Sequence, residues 1–283
     1  MPDKNYLSIY AKSFNWAGFF LPKNTYQKCS VLYDFCRTID NIGEKEDDLE
    51  IKKKELFYFK NNFTNKNFNN PVIKNMWDLI DEYSISIEII LDLFSGIESD
   101  LKEKVELITK KDLLVYSYRV AGTVGLMMAK ILNVQNREAM KAAIDLGIAM
   151  QLTNIARDVV EDSKNNRIYI QHNFETITNT LNMANTFYGS SFSAIKEIPF
   201  NFRFAILVAR RVYKKIGDKI LIKNNIATYN ECGKIYVNNL EKIQQTLLSI
   251  FDLLKLFLVK QKKHLRNEEH LLINEEVNLN ERI

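Results

Sequence analysis

The chemistry that this sequence can support is concentrated in residues 151–171, where four polar side chains recur at helical spacing. They are Gln151, Asn154, Asp158 and Asp162. Steps of three, four and four residues return to one face of an α-helix. Two carboxylates one turn apart repel each other, so a bound divalent cation would stabilise them. Oxygen ligands of this kind suit Mg²⁺ or Mn²⁺ rather than zinc, and Mg²⁺ is usually shared with substrate phosphates.

A pair of aspartates one turn apart could also lie on a solvated helix face that has no function. Two further observations favour a site. Arg157, Arg167 and Tyr169 flank the acidic residues. A second polar stripe, with steps of four, three and four residues, occurs upstream and consists of Tyr33, Arg37, Asp40 and Glu44.

The two stripes predict two helices that face each other across the mouth of a helical bundle and hold divalent cations between them. Metal ions would bind the diphosphate of a substrate and make it a good leaving group, because they stabilise the charge that develops on it. An apolar, aromatic interior would then protect the resulting carbocation by excluding water and by cation–π attraction.

The composition predicts an all-α fold, because a chain of 283 residues with only nine Gly and four Pro contains few breaks. A single domain over residues 1–283 is expected, with a polar, frayed tail from about residue 264. The net charge of +4 is too small to indicate a nucleic-acid partner. It suits an anionic substrate or peripheral contact with an anionic membrane.

The cysteines and the amino terminus together predict a cytoplasmic protein. Cys29, Cys36 and Cys232 show no metal-ligand spacing, and an odd number of cysteines argues against a disulfide framework. The first residues, MPDKNYLSIY, lack the apolar segment of a signal peptide. Contact with the inner face of the membrane would be peripheral.

Apolar periodicity and helix-breaking residues indicate where the helices lie. Thr25 is a plausible N-cap for the helix that carries the first stripe, and a helix over 137–162 would carry the second. Residues 71–101 follow one amphipathic pattern. Gly122 and Gly125 each cost about 1 kcal/mol relative to alanine in a helix, so they predict a close approach of neighbouring backbone or a local kink.

The last predicted helix, over residues 234–260, ends in the apolar run SIFDLLKLFLV and is followed by KQKKHLR. Asp252 and Lys255 interrupt the run, which is also too short to span a bilayer. Its basic flank could hold the protein on an anionic membrane. We favour a buried final helix with a charged end.

Four segments of the chain also resemble motifs of the squalene/phytoene synthase family. QLTNIARDVVEDSKNNRIYI resembles the second aspartate-rich motif of that family, and YDFCRTIDNIGE resembles the first. YSYRVAGTVGLMM is similar to the central glycine-containing helix, and SFNWAGFFLP to the amino-terminal Ser-Phe segment. The resemblance spans roughly residues 10 to 245 and is strongest to the phytoene synthase branch.

This resemblance implies an isoprenoid synthase helical bundle with a central apolar cavity. It also implies head-to-head condensation of two geranylgeranyl diphosphates to phytoene through a cyclopropyl diphosphate, with Mg²⁺ or Mn²⁺ and without NADPH. The metal ligands that it implies are Asp40, Glu44, Asn154, Asp158 and Asp162. The implied contacts with diphosphate or prenyl chain are Ser13, Phe14, Arg37, Gln151, Arg157, Arg167, Tyr213 and Lys234. The residues expected near the reacting carbons are Tyr33, Tyr116 and Tyr169, with Asp40 and Asp158 beside them.

The chain departs from the family pattern in its first motif, which contains Asn41 in place of a second aspartate and Glu44 in place of the last one. Gln171 also stands where a proline is common. The nearest rival function is a squalene or dehydrosqualene synthase that uses farnesyl diphosphate. A non-catalytic relative that acts as an assembly factor is a further alternative, although such a relative should have lost motif aspartates.

Overall fold

The computed structural model describes residues 12–45, 47–259 and 267–283, and helices dominate this part of the chain. The all-α class is therefore confirmed, whereas the extent of the domain stays a prediction. The first helices are α1 (Lys12–Gly18), α2 (Lys23–Glu44), α3 (Leu49–Thr64), α4 (Pro71–Tyr83), α5 (Ile87–Ser99) and α6 (Lys110–Ser117). A π-helical turn over Tyr118–Gly122 joins α6 to α7 (Thr123–Ile131).

The second half begins with the long helix α8 (Arg137–Lys164). It is followed by α9 (Phe174–Phe192), a 3₁₀ turn (Ser193–Glu197), α10 (Phe200–Leu221), α11 (Ile226–Glu231) and α12 (Asn239–Leu258). Two short helices close the described chain: α13 (Glu268–Asn274) and α14 (Leu279–Arg282). Strands β1 (Val105–Glu106) and β2 (Arg167–Ile168) pair in parallel, with Val105 opposite Arg167.

Helix α8 is the axis of the bundle, because α7, α9, α10 and the π-helical turn all pack against it. Its 28 residues extend for about 42 Å. The Asn136 side chain accepts hydrogen bonds from the backbone N–H groups of Glu138 and Ala139 and so caps its first turn. Buried side chains recur along most of its length, which fixes the direction in which its polar stripe points.

The predicted close approach at the glycines is found between α7 and α8. A Cβ added at Gly125 would lie 2.2 Å from the carbonyl oxygen of Ala143, and one added at Gly147 would lie 2.2 Å from that of Ala121. The predicted local distortion is also present as the π-helical turn that ends at Gly122. Backbone therefore packs directly on backbone at this crossing, which only glycine permits.

The predicted N-cap is wrong, and the amphipathic pattern over 71–101 is divided between two helices. The first-stripe helix begins at Lys23, and Pro22 rather than Thr25 precedes it, because the fixed φ of proline suits the residue that leads into a helix. The pattern over 71–101 forms two helices, α4 and α5. Between them Ser84 adopts a left-handed conformation, with φ of 49°, which ends α4.

The frayed tail is also wrong for the described residues 267–283, because this segment is helical and packs on the bundle. His270 is buried, and its Nε2 lies 2.7 Å from Oδ1 of Asp145 in the middle of α8. The side chain of Ser190 donates to the other oxygen of Asp145. Arg137 donates to the backbone carbonyls of Ile283 and Asn280 at 2.8 Å each. Specific contacts of this segment with α8 therefore hold it on the bundle, although most of its other polar side chains are exposed.

The crossing of α7 and α8 gives a stability prediction. Replacing Gly125 with alanine should lower the free energy of unfolding by about 1–3 kcal/mol, because the new methyl group must displace backbone. The matched control is Gly189→Ala in α9, where an added Cβ meets nothing within 4 Å. That variant should gain about 1 kcal/mol from helix propensity. Urea unfolding of both variants measures the difference, and an equal effect of the two substitutions would contradict the packing described here.

Candidate active site

The first polar stripe lies on the side of α2 that faces away from its buried apolar residues. Leu32, Phe35 and Ile39 are buried in the core, whereas Arg37 and Asp40 are half-buried. Nη2 of Arg37 lies 2.9 Å from the carboxylate of Glu44, two helical turns further on. The sequence therefore places a cation and two carboxylates at the carboxyl end of α2, as predicted.

The second stripe lies at the carboxyl end of α8, where Asn154, Asp158 and Asp162 are half-buried. Nε of Arg157 donates to Oδ1 of Asp158 at 2.8 Å. Nζ of Lys234 lies 3.7 Å from the same carboxylate and 2.6 Å from Glu161. Two of the predicted cations therefore contact one predicted metal ligand.

Arg167 joins the two stripes. Its Nη2 donates to the carbonyl oxygen of Gly43, at the end of α2, at 3.2 Å. Its charge lowers the pKa of both Asp40 on α2 and Asp162 on α8. The charge of Asp100 raises the pKa of the same two carboxyls. Arg167 thus contacts the end of α2 and shares a pocket lining with Asp162 of α8, whereas the prediction that the two acidic stripes face each other stays a prediction.

Protonation of this centre is governed by burial. Burial, followed by the charge of Glu44, raises the pKa of Asp40 to about 7. Burial likewise raises the pKa of Asp162 to about 7, with Asp158 as the next cause. Arg167 opposes both shifts without cancelling them. The two carboxyls therefore bind protons close to neutral pH, and a cation entering the site would displace those protons.

A carboxylate that sequence reasoning missed, Asp100, holds two of the predicted tyrosines. It is buried, and its oxygens accept hydrogen bonds from Tyr116 at 2.7 Å and from Tyr169 at 3.0 Å. The two phenol oxygens are 3.0 Å apart, and the rings stack with centroids 4.8 Å apart. Burial raises the pKa of both phenols. They therefore stay neutral and serve as fixed hydrogen-bond donors.

The β1–β2 pair explains how Asp100 and Tyr169 meet. Asp100 follows α5 directly and precedes β1, whereas Tyr169 comes immediately after β2. The backbone N–H of Val105 donates to the carbonyl of Asn166, and that of Leu107 donates to the carbonyl of Ile168. This short parallel pair fixes the two segments side by side. The only hint in the sequence was an aspartate at the end of a helix, which has no characteristic spacing to either stripe.

Of the remaining predicted residues, Phe14 and Tyr213 are in contact. The rings of Phe14 on α1 and Tyr213 on α10 are 4.8 Å apart. Burial raises the pKa of Tyr213 to about 12, and the charges of Arg157 and Asp158 also act on it. Tyr33 interacts electrostatically with Tyr213. Ser13 and Gln151 are half-buried, but no hydrogen bond joins either to another predicted site residue within the described chain.

The residues present fit a Mg²⁺ site that is completed by a ligand. Among the described residues, no three acidic, histidine or cysteine side chains converge closely enough to hold a metal by themselves. Mg²⁺ does not require this, because one or two carboxylates and phosphate oxygens suffice. Oδ1 of Asn154 is buried and has no hydrogen-bond partner. Such an orphaned acceptor, one turn from Asp158, is suited to a cation or its bound water.

A pocket of about 300 Å³ opens beside this centre. Its lining includes the charged residues Glu106, Asp162 and Arg167, and Ile155, Val159 and Tyr169 are among its apolar walls. Charged and apolar groups that line one pocket suit an amphipathic ligand with an anionic head. The larger central cavity implied by the family resemblance stays a prediction.

Comparisons with known proteins agree with this geometry. The sequence model of the squalene/phytoene synthase family matches residues 8–174. A 15-cis-phytoene synthase of Pantoea ananas is 26% identical over 247 residues, which are 76% of this chain and 80% of that protein. A 4,4'-diapophytoene synthase of Staphylococcus haemolyticus is 32% identical over 166 residues, 56% of this chain and 58% of that protein.

The fold also matches solved structures. The crystal structure of a dehydrosqualene synthase in complex with ligand aligns with a TM-score of 0.71 and 25% identity. The alignment covers 88% of this chain and 94% of that one. The agreement thus extends well beyond the segments that carry the acidic stripes.

The raised pKa values of Asp40 and Asp162 predict how stability depends on pH without metal. The folded chain holds these protons up to about pH 7, whereas the unfolded chain releases them near the ordinary value of 3.8. The native state binds more protons between these limits, so the free energy of unfolding should fall as the pH rises through them.

Thermal unfolding in EDTA at pH values from about 5 to about 8 measures this decline. In the double variant Asp40→Asn, Asp162→Asn the decline should be smaller, because neither amide titrates. Mg²⁺ added at the high end of the range should raise the melting temperature of the natural protein more than that of the variant. Identical pH profiles for the two proteins would contradict the assignment.

Proposed function

This chain belongs to the squalene/phytoene synthase family, and we propose that it condenses two geranylgeranyl diphosphates head to head to form phytoene in carotenoid biosynthesis. It is a prenyltransferase, and its relatives with phytoene synthase names cover most of its length. The observation that carries the proposal is the position of Arg167, which donates a hydrogen bond to Gly43 at the end of α2 and lines one pocket with Asp162 of α8. Carboxylates and arginines gathered at one point suit a metal-bound diphosphate.

The proposed Mg²⁺ ligands are the acidic and amide groups of both stripes: Asp40, Glu44, Asn154, Asp158 and Asp162. Bound there, Mg²⁺ would neutralise the diphosphate and stabilise it as a leaving group. Glu44 reaches one methylene further than the aspartate usual in the family, and Asn41 carries no charge. We therefore expect the α8 carboxylates to contribute more to metal affinity than those of α2.

The cations of the site would bind the diphosphate directly. Arg157 and Lys234 contact Asp158, and Arg37 contacts Glu44, so each is paired with a proposed metal ligand. Entry of a metal-bound diphosphate would exchange these carboxylate contacts for contacts with phosphate oxygens. Arginine is suited to this because its planar fork of donors matches phosphate geometry.

The tyrosines would act on the apolar part of the reaction. Tyr116 and Tyr169 are neutral and held by Asp100, so their rings offer a fixed, electron-rich surface to a carbocation. Phe14, Tyr33 and Tyr213 would line the path of the prenyl chain, and Ser13 and Gln151 would contact the substrate. Without a reductant, loss of two diphosphates is balanced by loss of two protons, and the proposed intermediate is a cyclopropyl diphosphate.

Farnesyl diphosphate is the competing substrate. Relatives with a 4,4'-diapophytoene synthase name and a dehydrosqualene synthase structure favour this second candidate. Relatives with phytoene synthase names align over 76% and 74% of the chain, against 56% for the relative with the 4,4'-diapophytoene synthase name, which favours the twenty-carbon substrate. We further propose that the protein works in the cytoplasm, at the inner face of the membrane.

A product assay tests the substrate. Purified protein with Mg²⁺ should convert geranylgeranyl diphosphate to a forty-carbon hydrocarbon, and gas chromatography of the extract detects it. Excess EDTA should abolish the product, and added Mg²⁺ should restore it, because the diphosphate leaves slowly when its charge is not neutralised. A thirty-carbon hydrocarbon formed only from farnesyl diphosphate would refute the twenty-carbon proposal in favour of the second candidate.

A second experiment tests the α8 carboxylates. Asp158→Asn and Asp162→Asn should each lower kcat by about a hundredfold or more, because a metal contact contributes several kcal/mol to the transition state. The matched control is Asp81→Asn, at an exposed position near the end of α4, which should leave kcat unchanged. Folding is checked by circular dichroism. Full activity in both α8 variants would refute an enzymatic role for this site.

A further inference from the structure

Helix α12 presents its apolar side chains to the outside and its polar side chains to the protein. Its buried side chains are four polar ones, Lys242, Gln245, Ser249 and Asp252, and one apolar one, Leu256. The exposed apolar ones, called here the α12 outer face, are Leu240, Ile243, Leu247, Ile250, Phe251, Leu254, Phe257 and Leu258. They recur every three or four residues along about 30 Å of helix. A surface helix of a soluble protein has the opposite arrangement, and the expected buried final helix is therefore wrong.

Specific polar contacts fix α12 in this orientation. Arg211 on α10 forms a two-point ion pair with Asp252, with contacts of 2.5 and 2.8 Å. At the other end of the helix, Lys219 lies 2.8 Å from Glu241. Turning the apolar face inward would break both pairs and bury charges without partners, which is strongly destabilising. The outward apolar face is therefore built into the fold.

The charges around the α12 outer face are positive. Its two acidic residues, Glu241 and Asp252, are both paired with cations of α10, and Lys255 is exposed in the last turn. Near the same end, Nζ of Lys196 donates to the carbonyl of Val259 and Nε of Arg203 donates to that of Ile198. Within the described chain, no carboxylate lies at ion-pair distance from Lys196, Arg203 or Lys255.

Aromatic contacts extend the apolar surface towards these cations. The ring of Phe200, itself exposed, lies 6.3 Å from that of Phe257. The guanidinium of Arg203 is 5.7 Å from the centre of the Phe200 ring. Apolar rings beside cations suit the boundary between lipid tails and headgroups.

We propose that the α12 outer face docks on an anionic lipid bilayer, with its apolar side chains in the interface and the nearby cations against phosphate headgroups. No described helix is long and apolar enough to cross a bilayer, so the helix would lie along the surface. Burial of apolar side chains and attraction to anionic lipid both contribute to such binding. A second copy of this chain fits less well, because the same face on a partner offers no unpaired acidic residue to Lys255.

The docking surface lies one helix away from the proposed prenyl-chain path. Helix α12 packs on α10, which carries Tyr213, and Nε1 of Trp16 on α1 donates to Thr246 of α12 at 3.0 Å. Helix α1 also carries Phe14. A membrane-bound enzyme could thus receive prenyl chains from lipid and return hydrocarbon to it. The exchange of prenyl chains and hydrocarbon with lipid rests on the proposed function. The docking on lipid does not rest on it.

The test compares vesicle binding of the full chain with that of a triple variant, Leu247→Gln, Phe251→Gln, Leu254→Gln. These side chains are 56–59% exposed, so the fold should be unaffected. The matched control is Ile51→Gln, Phe57→Gln, Tyr58→Gln on α3, whose side chains are 49–68% exposed. Binding is measured by flotation with vesicles of phosphatidylcholine and phosphatidylglycerol. The α12 variant should bind at least about tenfold more weakly, while the control binds like the natural protein.

Lys255→Gln tests the charge contribution. It should weaken binding to the anionic vesicles and leave binding to pure phosphatidylcholine unchanged, and added salt should mimic it. Prenyl transfer in detergent micelles should be equal in the natural protein and the α12 variant, so loss of docking and loss of the proposed reaction are measured separately. Absence of vesicle binding by the natural protein would overturn the proposal. So would a dimer in sedimentation velocity that the α12 substitutions make monomeric.

Discussion

Repulsion between half-buried carboxylates is the constraint around which the site is built. Asp40 and Asp162 come from helices far apart in sequence, yet each is affected by Asp100 and by Arg167. Burial raises the pKa of both carboxyls to about 7, and the opposing charges, Arg37 and Arg167 at Asp40 and Arg167 at Asp162, do not cancel that shift. The protein thus maintains a site whose charge is balanced only when protons or cations are bound. Such a site is prepared to accept a cation together with an anionic ligand.

The bundle maintains this arrangement by the close approach of α7 and α8. Gly125 and Gly147 let backbone pack on backbone, and the π-helical turn before α7 sets the position of the segment that carries Tyr116. The β1–β2 strand pair sets the position of the segment that carries Tyr169. Stacked phenols on a buried carboxylate are therefore positioned by two features remote from each other in sequence. Precise placement of groups around a reacting centre depends on supports of this kind.

The sequence was most informative where chemistry and helical spacing coincide. Both acidic stripes, the helix over 137–162 and the close approach at Gly125 followed from residue type and period alone. Asp100 did not, because a single aspartate gains its meaning only from tertiary neighbours. The direction of α12 was equally hidden: an apolar stripe indicates an amphipathic helix but not which environment covers it. Polar residues near the end of the chain suggested solvent, although His270 and Asp145 are buried together.

The attachment of residues 267–283 to the bundle has a consequence for biosynthesis. Asp145 in the centre of α8 is hydrogen-bonded to His270, and Asp92 on α5 is paired with Arg282, so these helices depend on groups that follow them by 125 and 190 residues in the chain. Nascent chains generally form structure from the amino-terminal side during synthesis. Here the interior around α8 would remain incomplete until residues 267–283 have been synthesised, and exposure to chaperones and proteases would last correspondingly longer.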